Sequence, residues 1–237
     1  MIPGRAGQDM PLQGGLDIPP VRFFFLAKGF SRIFWGLLIA MVLFFGNAAV
    51  ELFHFIRIPA YVVGSALAVW GVWMLNHAGV VSSKWRRRVR VTMILVFLEI
   101  YFAPFLEWWK LSPHTPFYLA NVLGLLLVSM LTLFYVNLLA LEVFRRLPDR
   151  AGQMEAMVFG GAVVLLMITP LILTVLFCLV AALRYQTDFE FEIWQAVVRL
   201  PIWVYMILTV PCSLTLIAAW KAKNLCYGRL AQDDVVR

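Results

Sequence analysis

The chain has 237 residues, of which 62% are hydrophobic, 15% aromatic and only 14% charged. Soluble domains carry roughly 25% charge, so this is the composition of a membrane protein, and the stretches between apolar runs are too short to house a soluble domain. The net charge of +7 comes from basic residues gathered in alternate loops. That is the positive-inside pattern of a multi-pass protein and not a nucleic-acid footprint.

Residues 1–18 are polar and broken by Gly4, Gly7, Gly14 and Gly15. They lack the short basic-then-apolar pattern of a cleaved signal peptide, so the first spanning helix is expected to be retained. After Pro19 and Pro20 comes "VRFFFLAKGFSR". On a helical wheel Phe23, Leu26, Ala27, Phe30 and Ile33 share one face, with Arg22, Lys28 and Arg32 mainly opposite. Two readings stand: a helix lying on the cytoplasmic surface, or an extension of the first span.

Crossing a bilayer core of about 30 Å takes around 20 apolar residues. Six runs qualify, at 33–53, 59–81, 91–109, 117–141, 156–183 and 197–220. The expected fold is therefore all-α: a cytoplasmic segment over 1–32, a six-helix transmembrane domain over 33–220, and a cytoplasmic tail over 221–237. Pro59 suits the first turn of the second helix. "SSKWRRRVR", "RRLPDR" and the tail, together with Arg5, Arg22, Lys28 and Arg32, place sixteen of the twenty basic residues on one side. That side is expected to be cytoplasmic, with both termini there and anionic lipid headgroups as partners. Trp108, Trp109 and Trp194 fit an outer aromatic belt, and Trp35, Trp85 and Trp220 an inner one. Ala60, Gly64 and Ala68 recur every four residues with Gly71 near the same face, and Gly36 and Ala40 repeat the pattern, a spacing that lets helix backbones approach closely.

Glu99 lies in the middle of "VTMILVFLEIYFAPFLEWW". A charged acid at this depth costs roughly 2.5–3.5 kcal/mol, and holding a carboxyl neutral at pH 7 costs about 3.7 kcal/mol. Neither state wins on magnitude, so a partner must decide. No span interior carries Lys or Arg. At 1.5 Å per residue, Glu99 sits about 12 Å from the cytoplasmic end of its helix, level with Thr132 and Tyr135 of the fourth span and slightly deeper than Asn137. Three readings follow: a protonated carboxyl bonded to that helix, a functional proton or cation site, or a contact to another subunit. Pro104 frees the carbonyl of Ile100 beside it, and Pro170 and Pro211 loosen their own helices in the same way. Prolines in oppositely running spans suit inverted repeats, although the two halves show no sequence similarity.

On the outer side, Asp188, Glu190 and Glu192 alternate with Phe189 and Phe191. An extended chain would turn the three carboxylates one way, either as a hard-cation site or as a solvated loop. Glu51, His54 and Arg57 are spaced for a local helical contact. Glu142 with Arg145 and Arg146 is a favourable helical charge pattern, and Asp149 and Glu155 suit the start of a helix. Cys178, Cys212 and Cys226 form no CxxC pair, which argues against a disulfide framework or zinc site. No nucleophile–base pair or metal-ligand cluster is evident. The chain is thus expected to be neither an enzyme nor dependent on a cofactor.

"RIFWGLLIAMVLFF" followed by "IPAYVVGSALAVWGVWML" resembles the opening of small multi-pass bacterial membrane proteins, in which an FWGLL-type helix leads to a proline turn and glycines seven apart. Gly64 and Gly71 match that spacing. The acid usual beside the proline is absent, and the Pro59–Gly64 interval is one residue longer. This resemblance covers about a fifth of the chain and implies a bacterial inner membrane but no activity. Six spans with both ends inside also resemble the permease half of ABC exporters. With no P-loop in the chain, that likeness implies a separate ATPase partner. The expectation is a membrane transport component or a non-catalytic subunit that anchors a larger complex with other membrane subunits.

Overall fold

The computed structural model describes residues 20–49, 60–78, 83–147, 149–185, 189–199 and 201–235. Helices account for nearly all of them: α1 (Pro20–Ala49), α2 (Ala60–His77), α3 (Ser83–Leu111), α4 (Pro116–Arg146), α5 (Arg150–Tyr185), α6 (Phe189–Val198) and α7 (Ile202–Val235). No strand occurs among the described residues. Among the described residues four helices are long and apolar enough to cross a membrane, over Val21–Val42, Ser83–Leu111, Pro116–Arg146 and Arg150–Val180. Helix α2 is apolar but short, its 18 residues spanning about 27 Å at 1.5 Å each.

Helix starts follow local chemistry. Pro116 opens α4, where the missing N–H costs nothing. Asp149 caps α5, its Oδ1 accepting from the Gly152 N–H at 3.1 Å. Glu190 and Glu192 stand in the first turn of α6, where negative charge complements the helix dipole.

Packing makes the helices alternate. One cluster joins the start of α1 (Phe23, Phe30), the end of α2 (Leu75, Ala78), the start of α3 (Trp85, Val89), the end of α4 (Leu139, Phe144), the start of α5 (Ala156) and the later part of α7 (Ala222, Cys226). A second cluster gathers Trp109 of α3, Leu119 of α4, Cys178 of α5 and Ile193 and Trp194 of α6 at the other end. The long helices therefore run up and down between these clusters. Neighbours follow chain order, and α1 packs on α7 to close the bundle while α4 also touches α7. The first cluster lies among the basic segments that carry Lys28, Arg32, Lys84, Arg86, Arg87, Arg145 and Lys221. Burial there pushes the Cys226 thiol up to about 12, so it is inert.

Helix α1 is continuous from Pro20. Residues 20–32 are thus the N-terminal turns of the first long helix and not a separate surface helix. The face formed by Phe23, Leu26, Ala27 and Phe30 is buried within the bundle and not against headgroups. The belt assignment also changes. Trp35, Trp108 and Trp220 are exposed, but Trp85 and Trp109 are core residues. Trp109 meets Trp194 edge-on at 5.0 Å.

Close backbone approach dominates the α1–α2 pair. A Cβ on Gly36 would lie 2.6 Å from the Gly64 carbonyl oxygen, and one on Gly64 would lie 2.7 Å from the Gly36 oxygen. Gly29 and Gly71 form a second such contact, with a Gly71 Cβ 2.7 Å from the Gly29 oxygen. Each helix thus carries two glycines seven residues apart, and the antiparallel run matches them in pairs.

Ion pairs fasten the basic end. Glu142 takes Arg88 of α3 at 3.0 Å on one oxygen and Arg146, four residues on, at 3.3 Å on the other. Arg145 points outward. Lys221 of α7 pairs with Glu155 of α5, so Glu155 ties two helices together. The Arg88–Glu142–Arg146 side chains are only 16–23% exposed. Glu142→Gln should therefore cost about 1.5–3 kcal/mol in thermal unfolding. Glu107→Gln, which breaks an exposed pair with Lys110, should cost less than about 1 kcal/mol.

Candidate functional site

Glu99 opens on a partly open cavity of about 260 Å³ lined by residues of α1, α2, α3, α4 and α7. The walls come from recognisable helical stripes. Val122, Leu125, Leu126, Ser129 and Leu133 recur at three- and four-residue spacing along α4. Glu99 and Leu106, seven apart, come from α3. Leu37, Ala40 and Met41 come from α1, Ser65 from α2, and Thr209 and Cys212 from α7. The main core at the basic end stops short of this level, because Trp85 and Val89 lie 14 and 10 residues before Glu99 on the same helix. The cavity exists where small and polar residues interrupt the packing: Ala40, Ser65, Ser129 and Cys212 replace the large side chains found elsewhere along the seams.

Ser129 and Thr132 of α4 bring their hydroxyl groups beside the Glu99 carboxyl. Thr132 gives its own proton to the Val128 carbonyl at 3.0 Å. Thr209, across the cavity, donates to the Met206 carbonyl at 2.7 Å. Among the described residues Glu99 forms no ion pair with Lys, Arg or His. The result is a carboxyl group in largely apolar surroundings with hydroxyl groups beside it.

The sequence-predicted partners divide. Thr132 does meet Glu99. Tyr135 does not line the cavity: at ~100° per residue it lies about 130° round α4 from the lining stripe, and it packs edge-on against Phe134. Asn137 belongs to a different contact. Its Nδ2 donates to Thr215 Oγ1 of α7 at 2.7 Å and to the Leu133 carbonyl at 2.9 Å. Thr215 in turn donates to the Pro211 carbonyl at 2.9 Å. Asn137 therefore fastens α4 to α7, and its Oδ1 is buried without a hydrogen-bond partner among the described residues.

The prolines do not break their helices. Pro104 sits inside α3 and Pro211 inside α7, and both helices continue past them. Helix α5 likewise runs unbroken through position 170. Pro104 and Pro211 are not cavity-lining residues, although Cys212, next to Pro211, is.

The outer carboxylates also differ from expectation. Glu190 and Glu192 lie on a helix and not on an extended strand, so two residues apart they diverge by about 200°. Glu190 is buried, and Phe191 stacks on His114 at 4.7 Å. Asp188 lies outside the described residues, as do Glu51, His54, Arg57 and Pro59. No cluster of three His, Cys, Asp or Glu side chains suited to a metal occurs among the described residues.

Ser129, Ser65, Thr209 and Cys212 were not anticipated from sequence. Ser129 had a readable signal: it lies three residues before Thr132 and on the same side of α4. Comparison with known families, curated proteins and solved structures finds no match.

Proposed function

We propose that the chain is a six-span protein of a bacterial inner membrane, with both termini cytoplasmic, and that it works as a membrane transport component. The observation that carries this reading is the Glu99 cavity: an ionisable residue inside a membrane bundle, opening on space within the bundle rather than packed away. Intramembrane acids facing a cavity mark ion, proton or substrate paths. The alternating helices, and the basic end formed by α1, α3, α4 and α7, support the orientation. Lys84, Arg86, Arg87 and Arg90 are exposed there, available to anionic headgroups or to an energising ATPase.

The test is reconstitution into liposomes loaded with a pH-sensitive dye. The unaltered chain should pass protons or exchange them for a cation across an imposed gradient. Glu99→Gln should cut that flux by about tenfold or more while leaving the thermal midpoint in place. Equal flux from two equally stable proteins overturns the reading.

A second reading, a non-catalytic subunit anchoring a larger membrane complex, is favoured by α5. Leu165, Ile172, Leu173, Leu176, Leu179 and Val180 are all exposed along it, leaving a broad apolar face for lipid or another subunit. Stoichiometric membrane subunits co-purifying in mild detergent would support that role, and an ATPase alone would support the permease.

A further inference from the structure

We infer that the Glu99 cavity is a binding site for a protonated organic amine with a compact apolar body, a proposal that rests on the cavity being the functional site proposed above. Charge comes first. Glu99 is the only acidic or basic residue among the described lining residues, so no basic side chain there pairs with it. A ligand bringing one positive charge completes the site.

Hydrogen-bonding capacity narrows the class. Of the lining hydroxyls, Thr209 already gives its proton to a backbone carbonyl, so it offers the cavity a lone pair and not a proton. With the Glu99 carboxyl, Ser65, Ser129 and Thr209 give the site several acceptor oxygens and no basic group. It matches an ammonium N–H and mismatches an anion.

The walls disfavour divalent and quaternary cations. Leu37, Leu106, Leu125 and Leu126 supply no oxygen, whereas calcium takes six to eight oxygen ligands and magnesium near-octahedral coordination. No aromatic ring lines the cavity among the described residues, so the face-on cage that holds a quaternary ammonium is missing. An N–H-bearing ammonium attached to hydrocarbon meets both the carboxyl group and the apolar walls. The cavity's 260 Å³ far exceeds the ~10–15 Å³ that admits one water.

The experiment uses the full purified chain in detergent and isothermal titration calorimetry against a protein-free micelle blank. The probes are 1-adamantylamine, the neutral 1-adamantanol and the N,N,N-trimethyl quaternary derivative. The amine should bind at least about tenfold more tightly than either analogue, because only it makes a charge-assisted N–H bond. Glu99→Gln should remove that preference. The amine–alcohol comparison on the unaltered chain decides the matter even if the variant misfolds. Equal binding of amine and alcohol, a preference for the quaternary ion, or no binding by the amine each overturns the proposal. Selective amine binding without flux in liposomes would leave the ligand class standing and remove the transport role. Flux without selective amine binding would do the reverse.

Discussion

Gly64→Leu should destabilise the protein by about 1–3 kcal/mol or more, the cost of forcing extra side-chain atoms into a filled contact. At about 2–4 °C per kcal/mol for a chain of this size, the shift is easily read in a thermal melt in detergent. The physical cause lies in how helices associate in lipid. Lipid tails are as apolar as leucine, so no hydrophobic force drives two spanning helices together, and van der Waals contact between close backbones must hold them. At Gly64 an added Cβ would lie 2.7 Å from the Gly36 carbonyl oxygen and 2.8 Å from the Ala40 Cβ. Neither is a flexible side-chain tip, so α1 and α2 must separate along their length. Gly36→Leu should behave alike, since its Cβ would meet the Gly64 oxygen and the Ala68 nitrogen. Gly161 and Gly228 provide the opposite sign. A Cβ at either meets nothing within 4 Å, so alanine there should gain about 0.5–1 kcal/mol from reduced backbone freedom in the unfolded chain. Loss at both positions of the α1–α2 contact, with gain at both open ones, is the pattern that checks the geometry.

Half of that contact was legible in the sequence. The Ala60, Gly64, Ala68 spacing marks one face of α2 unambiguously, because a helix presents every fourth residue on one side. Gly29, which meets Gly71, falls within residues 1–32, which the sequence places in a cytoplasmic segment ahead of the first span. Amphipathicity over "VRFFFLAKGFSR" is the same whether the apolar face meets lipid or protein, and periodicity cannot distinguish the two. The same ambiguity misplaced Trp85 and Trp109: being near a helix end suggests a membrane interface but does not say which way the side chain turns. At the site, depth along the bilayer was readable from residue counts and found Thr132. Depth alone does not separate Tyr135 from Ser129; direction round α4 does, and only Ser129 faces the cavity. Asn137 is nearly level with the site, but its amide is committed to Thr215 of α7, a partner 78 residues away that no local pattern reveals. The alternation of "TDFEFE" looks like a strand because period two is all that five residues show. Glu190 and Glu192 instead suit the first turn of α6, where the dipole rewards negative charge whichever way each side chain faces.

Leu126→Trp should leave the fold intact and stop the protein working. Leu126 is half-buried and lines the cavity from the same stripe of α4 as Ser129. A large side chain placed in a close-packed core displaces neighbours and costs stability. Here the added indole atoms enter space that already exists, so the stability change should stay below about 1 kcal/mol, a shift of at most about 4 °C. Glu99 is chemically untouched, its hydroxyl partners Ser129 and Thr132 remain, and the helix seams elsewhere do not change. Flux in liposomes should nevertheless fall by about tenfold or more, because the room beside the carboxyl is gone. This separates two roles for Glu99 that its own substitution cannot. If Glu99 serves only to hold α3 against α4 through Ser129 and Thr132, filling the cavity has no consequence for function. If it serves what enters the cavity, blocking the space is as damaging as removing the charge. A Leu126→Trp protein that melts with the unaltered chain and transports at the same rate would assign Glu99 to helix packing alone.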